Sequence, residues 1–598
     1  MKEFFKMLLA VICGLFITGF IIFFLFSSMI AALSLAGSSQ EPLPKSGVLR
    51  MDMSELSITE QAGGEDPLAM IQGGYVETVG LWQAVQAINA AASDPSIKYI
   101  YLKSDGLSGD YATVEEIRKS LDKFRRSGKP VISFIENPTT GSYYLSSVAD
   151  KIYMTSHPGG NPTVLGVGSQ LIFLKDILDR LGVNVQLIRH GKYKSAGEMY
   201  IRSESSKENL EQNQAMVDAI WKNISDGITD SREITAEQLD EALNDLKLNL
   251  PQDFLELGFV DELLTAEELR GKLANLAVAD DFSDVQMIDF YDYAAAKVLP
   301  DYKAKNKIAV IYADGEIVGG SENTQVAGDR FASIISKVRK DDSIKAVVLR
   351  VNSPGGSVIA ADKIKNELDL LRAEKPLVAS YGGYAASGGY WISANCEHIF
   401  SDAGTLTGSI GVFSMIPDFS NTAKNLAHVN ITAVKSHAHA DMYTLMRPFD
   451  SAELQTQQTL VDDIYSAFVS NVSRGRNLDP DYVDSIAQGR VWTGAEALEI
   501  GLVDEIGTLE DAIRYTVALA SASDSASLDG WRIEEYPRPL SQMETILERF
   551  GAGTDDTDTD VFAGTAFEGV ASAMQKFLRD SRSGNYVLAR MPYAIELN

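Results

Sequence analysis

At 598 residues the chain exceeds what one hydrophobic core usually serves, so two or more domains are expected. With 45% hydrophobic and 23% charged residues it has the composition of a globular protein, which excludes disordered and fibrous classes. Lys and Arg total 53 against 82 Asp and Glu, and this charge of -29 without a basic stripe excludes nucleic acid as a partner.

The N-terminus sets the compartment. From Met7 to Phe26 only Thr18 interrupts an apolar run, and after Lys6 no charge appears until Glu41. Twenty helical residues at ~1.5 Å each cross a ~30 Å hydrocarbon layer, so residues 7–36 are predicted to form one transmembrane helix. Lys2 and Lys6 hold residues 1–6 in the cytoplasm and send everything after a linker at 37–45 across the membrane. A cleaved signal peptide is the competing reading, because "SLAGSS" offers small residues. Its usual apolar core of ~7–15 residues is shorter, and no lipidation cysteine follows.

Cys13 lies in that span and Cys396 far beyond it, so no disulfide and no thiolate metal site is expected. The close pair His437 and His439 in "SHAHAD" has no evident third ligand and reads as a solvated loop. Neither metal nor cofactor is predicted.

The remainder is written twice. "DPSIKYIYLKSDGLSGDYATVEEIRKSLDKFRRSGKPVISF" begins at Asp94, and "DDSIKAVVLRVNSPGGSVIAADKIKNELDLLRAEKPLVASY" begins at Asp341. Each reads as strand, glycine-containing turn, amphipathic helix and strand. "LELGFVDEL" (255–263) is answered by "LEIGLVDEI" (498–506) at the same offset, near 245 residues. The fold class is therefore α/β, a tandem duplication with largely parallel sheets covered by helices. The first domain is placed at residues 46–290, a linker at 291–306 and the second domain at 307–519. Residues 520–598 read as a tail, with mobile stretches such as "GAGTDDTDTD" and a candidate docking helix in "AFEGVASAMQKFL".

Sliding the copies over one another singles out two residues. Ser387 in "YAASGGYWIS" falls opposite Gly141, and Lys194 in "GKYKSAGEMY" falls opposite Ala440. One copy carries a serine and the other a lysine, as expected if two ancestral sites merged into one. A serine hydroxyl needs a base, and a lysine kept neutral by burial can serve. Ser387 also opens a predicted helix, whose free N–H groups suit a developing oxyanion, and the glycines of "VNSPGGS" (351–357) offer more. Singly, these features read as an N-cap serine, solvated lysines at 192 and 194, and a plain turn. Their joint occurrence across a repeat favours chemistry.

At these residues the sequence resembles the signal peptide peptidase A (protease IV) family in its long, duplicated, membrane-anchored form. The motifs that carry the resemblance are "GKYKSA" (191–196), "NSPGGSV" (352–358), "AASGGYWIS" (385–393), "LTGSIGV" (406–412) and "GRVWTGAEALEIGLVDEIG" (489–507). It implies tandem Clp-protease/crotonase-like domains and a serine endopeptidase that degrades cleaved signal peptides and similar apolar peptides. It further implies Ser387 as nucleophile, Lys194 as general base and Ser409 as the hydroxyl that orients the lysine. Gly388, with Gly355 or Gly356, would supply the oxyanion N–H groups. A homotetramer in the bacterial inner membrane, its catalytic domains on the periplasmic side, is implied as well. Two other readings stand beside this one. A crotonase-like acyl-CoA enzyme fits "GRVWTGAEALEIGLVDE", although an acidic, anchored chain lacks a basic site for CoA phosphates. A non-catalytic membrane scaffold that grips peptides would leave the serine and lysine unexplained.

Overall fold

The structure is a computed structural model that describes residues 43–63, 76–323, 325–521, 527–538 and 587–591, with isolated helical positions before and after. The expected anchor at 7–36 lies outside the described residues apart from a few such positions. Among the described residues no helix is long and apolar enough to cross a membrane. The docking helix expected near 566–578 also lies outside them, bar two positions.

The duplication governs the architecture. In the first half, parallel strands run in the spatial order Glu262–Leu264, Lys151–Thr155, Val131–Ile135, Ile97–Lys103, Gly47–Asp52, Met287–Asp289. The second half repeats that order with Glu505–Ile506, His398–Ser401, Leu377–Ala386, Ile344–Ser353, Asn306–Asp314 and Trp531–Tyr536, again parallel. Central strands such as "VISFI" are buried throughout their length, as a parallel sheet covered on both faces requires. The helices that follow the strands start alike. Asp110 accepts the Thr113 N–H ahead of Tyr111–Arg125, and Ser357 accepts the Ala360 N–H ahead of Val358–Arg372.

Two expected boundaries shift. Trp531–Tyr536, read from sequence as tail, is an edge strand beside Asn306–Asp314 and the counterpart of Met287–Asp289. The expected linker opens as the helix Phe290–Lys297, because Phe290, Tyr293 and Ala294 form one buried face against the first core.

A third sheet joins the halves, in the order Val326–Ala327, Ile317–Val318, Gly355–Ser357, Val587–Arg590, Val412–Asp418, Asn184–His190. Its last pair is antiparallel and brings a first-half strand against a second-half strand over seven residue pairs, from Val412↔His190 to Asp418↔Asn184. Elsewhere between the halves, the fully buried Arg350 pairs with Glu60 at 2.7 Å and with Glu116 at 2.9 Å. Its other Nη donates to Ser380 Oγ and Tyr381 O, both at 2.9 Å. Such a network costs desolvation, but once formed it leaves no cheap way to separate the halves.

Candidate active site

Ser387 sits where the strand Leu377–Ala386 breaks into the helix Gly388–Ser393. Its backbone is left-handed, with φ 56° and ψ -111°, a conformation that costs an L-residue about 1–3 kcal/mol. Two bonds hold it there. The Ser387 N–H donates to Gly408 O at 2.8 Å, and the Trp391 N–H donates to Ser387 O at 2.8 Å. The side chain makes no capping bond to its own helix, so the N-cap reading fails. Its hydroxyl instead meets a lysine.

Lys194 reaches it from the other half. The cross-half strand pair carries the chain to His190, and a turn at Gly191 (φ 101°) fits against Gln488, where a Cβ would meet carbonyl carbon at 2.4 Å. The Tyr193 N–H donates to Gln488 O at 2.9 Å, while Arg189 donates to Lys194 O at 2.9 Å and to Glu198 at 3.0 Å. The lysine stem lies beside Gly489, where any Cβ would approach Lys194 Cβ to 2.6 Å. Lys194 Nζ then lies 2.8 Å from Ser387 Oγ and 3.0 Å from both the carbonyl and the hydroxyl oxygen of Ser409.

Burial pushes the Lys194 ammonium well below the ordinary lysine range, and the Arg590 charge pushes it the same way. A neutral amine has two N–H groups and one lone pair. The Ser409 carbonyl can only accept, and Ser409 Oγ can take the second N–H, which turns the lone pair toward the Ser387 hydroxyl. Ser409 is held for this by its own left-handed φ of 49° and by its N–H, which donates to Arg490 O at 2.7 Å. Lys192, the other candidate in "GKYK", is exposed and lies over the Tyr193 ring at 4.9 Å, away from the serine.

The glycines converge on the same point. A Cβ on Gly355 would lie 2.6 Å from Gly388 N, and one on Gly388 would lie 3.1 Å from Gly356 N. Gly356 tolerates no side chain, since its Cβ would stand 2.0 Å from Ile317 O. Sequence leaves Gly355 and Gly356 equivalent as donors; in the structure the Gly355 N–H donates to Ser353 Oγ at 3.2 Å, while Gly356 N lies 3.1 Å from where a Gly388 Cβ would be.

The repeat comparison needs one correction. Tyr143 OH donates to Phe259 O and Tyr390 OH donates to Leu502 O, each at 2.8 Å, so these tyrosines are counterparts. That register sets Thr140, not Gly141, opposite Ser387. The first copy keeps a hydroxyl, but Thr140 Oγ1 accepts the N–H groups of Leu165 and Gly166 at 3.1 and 3.0 Å. Ala440, opposite Lys194, lies in an irregular exposed stretch, as does His437, while His439 sits 2.9 Å from Glu453.

The peptidase family S49 pattern matches residues 123–280 and 369–523, and the Clp protease pattern matches residues 301–400. Protease 4 of Haemophilus influenzae is 33% identical over 557 residues, covering 90% of this chain and 89% of that protein. Protease 4 of Salmonella typhi is 35% identical, covering 78% and 75% of the two chains. The chloroplastic serine protease SPPA of Arabidopsis thaliana is 28% identical, covering 78% and 69%. Matched in both halves, and in relatives over most of their length, this chain belongs to peptidase family S49 as a duplicated signal peptide peptidase A and is a serine endopeptidase.

Proposed function

We propose that this endopeptidase works through a Ser387–Lys194 dyad and degrades cleaved signal peptides and similar apolar peptides from a membrane anchor at residues 7–36. The observation that carries the reading is a fully buried lysine amine 2.8 Å from a serine held in a strained, left-handed backbone. Neutral Lys194 takes the Ser387 proton as Oγ attacks the scissile carbonyl, and Ser409 keeps the amine aimed. The N–H groups of Gly356 and Gly388 receive the oxyanion, each worth about 3 kcal/mol in the transition state. Protonated Lys194 then gives its proton to the leaving amine, and water hydrolyses the acyl-enzyme. An apolar cluster of Leu174, Val185, Ala196, Phe413 and Met415 beside the site supports apolar substrates. The N-terminal apolar run supports anchorage in a bacterial inner membrane with the catalytic domains outside the cytoplasm.

We also read the working form as a homotetramer. In the second copy Ile431 and Val434 are 55% and 98% exposed, whereas their first-copy counterparts Val185 and Ile188 are buried in the cross-half strand pair. A second chain would cover them.

The test uses full-length chain in detergent with an apolar fluorogenic peptide and a fluorophosphonate probe. Turnover and covalent labelling should both be lost in Ser387→Ala, turnover should be lost in Lys194→Ala, and Lys192→Ala should stay within about threefold of wild type. Equal damage from the two lysine variants would refute Lys194 as the base.

A further inference from the structure

A cavity of about 660 Å³ lies where the two halves meet, away from Ser387. It opens against the strand Trp531–Tyr536, the outer edge of the second sheet. The strand that leads to Ser387 is three strand spacings in from that edge, about 14 Å across the sheet. Cavities of about 300–1,000 Å³ at domain interfaces are favoured places for small ligands.

Both halves build its wall. The helix Leu81–Ser93 buries Leu81, Ala84, Val85 and Ile88 in the first core and turns Trp82, Gln86 and Asn89 to the cavity. Trp82 packs there with Ile308, Val310 and Tyr312 of the second half. Successive side chains alternate across a strand, so Trp531, Ile533 and Glu535 face the cavity. Arg532 and Glu534, paired with each other at 2.8 Å, fall on the other face.

Two polar groups in this apolar wall point to a ligand. Gln86 Nε2 is shielded from solvent and has no acceptor, which buried amides ordinarily find. Glu535 Oε1 accepts from the Tyr312 hydroxyl at 2.5 Å, and among the described residues no cation pairs with this carboxylate. Burial therefore pushes its carboxyl above the ordinary range, with the Tyr312 bond pulling the other way. The ammonium in the wall, Lys297, is already 2.7 Å from Asp94, and Asp301 adds an exposed carboxylate at the rim. A negative cavity flanked by two indole rings favours an organic cation.

We propose that this cavity binds an apolar α-amino amide, either as a free molecule or as the first residue of a peptide. The ammonium pairs with Glu535, the carbonyl oxygen takes the Gln86 amide N–H, and the apolar side chain lies against Trp82 and Trp531. A plain alkylamine would answer Glu535 and leave Gln86 unmatched.

Calorimetric titration of the full-length chain in detergent with phenylalanine amide tests this. One molecule per chain should bind, saturating below about 10 mM. N-acetyl phenylalanine amide keeps the ring and the carbonyl but not the charge, and should bind at least tenfold more weakly. Glu535→Gln should weaken the free amine at least tenfold and abolish its advantage over the acetylated form. Gln86→Met, which keeps the side-chain length, should weaken it at least threefold. Phenylalanyl-alanyl-alanine amide binding as tightly as phenylalanine amide would assign the cavity to peptide ends, and much weaker binding would assign it to free amines. Chain already labelled by the fluorophosphonate should bind as well as unlabelled chain; competition would place the amine at Ser387 and overturn the proposal. No saturation by about 10 mM, equal binding of the acetylated form, or full affinity in both variants overturns it too.

Discussion

Lys194→Met keeps an unbranched stem of similar volume in the pocket and removes only the nitrogen. Its effects can be worked from the burial of the amine. Above its lowered folded pKa and below the ordinary 10.5, Lys194 is neutral in the folded chain and charged in the unfolded one. The unfolded state then binds one more proton, so wild-type stability rises with pH by about 1.4 kcal/mol per unit across that window. Below the folded pKa both states hold the proton and the slope vanishes. Methionine has no proton to bind, and a volume-conserving swap itself costs less than about 1.5 kcal/mol. The stability advantage of Lys194→Met should therefore shrink by about 1.4 kcal/mol for each pH unit up to 10. Urea unfolding of Ser387→Ala and of Ser387→Ala with Lys194→Met, at several pH values between 6 and 10, measures the difference without self-digestion. In parallel, wild-type kcat/KM should rise with pH and level off where the stability slope begins, and Lys194→Met should fall by about 10²–10⁴-fold. Parallel stability curves from pH 7 to 10 would mean that Lys194 keeps its proton inside the fold, and the base mechanism would be wrong.

Ser387→Gly should be inactive yet more stable than Ser387→Ala by about 1 kcal/mol, because only glycine relieves the left-handed φ; thermal unfolding decides it. Arg350→Ala should destabilise the chain by about 3–5 kcal/mol by stranding Glu60 and Glu116, and a near-neutral result in urea would mean that the network is not closed as described. Glu116 is pushed up to about 7 by its burial, so its contribution is complete below 4.5 and lost as pH climbs to 7; Glu116→Gln should flatten that decline. Val434→Asp should lower the oligomer mass seen by light scattering while sparing the fold, and an unchanged mass would remove this segment from the proposed interface.

Much of the fold is legible because parallel sheets are written as apolar runs and the duplication repeats them at one offset. "VISFI" and "LVASY" declare the same central strand twice. The edge strand Trp531–Tyr536 was legible by the same rule, since the offset carries Phe290 to about residue 535, but its mixed apolar and charged composition resembles surface. What stays hidden depends on contacts between distant residues. Lys194 and Ser387 are 193 positions apart, and nothing local says that their atoms meet. A gap-free comparison also cannot see a one-residue slip between strand and helix, which is why Gly141 stood in for Thr140. The choice of Gly356 over Gly355 as the proposed donor turns on a single bond from the Gly355 N–H to Ser353 Oγ, which no spacing reveals.

The slip changes how the asymmetry of the two copies is understood. If the first copy simply lacked a hydroxyl, the loss of its site would be a loss of chemistry. Thr140 keeps the hydroxyl, yet two backbone N–H groups take its lone pairs, and its backbone is an ordinary helix start without the left-handed strain of Ser387. The chemistry has been absorbed into a fold contact. The same holds for the lysine-bearing strand. Asn184–His190 is a strand because Val412–Asp418 lies beside it, whereas residues 430–436 carry the same apolar spacing with no strand assigned among the described residues. Secondary structure here follows from having a partner, and the spacing "NITAV" alone does not secure it. One chain thus brings together one lysine strand and one serine elbow, and leaves the segment that matches the lysine strand without a strand partner among the described residues.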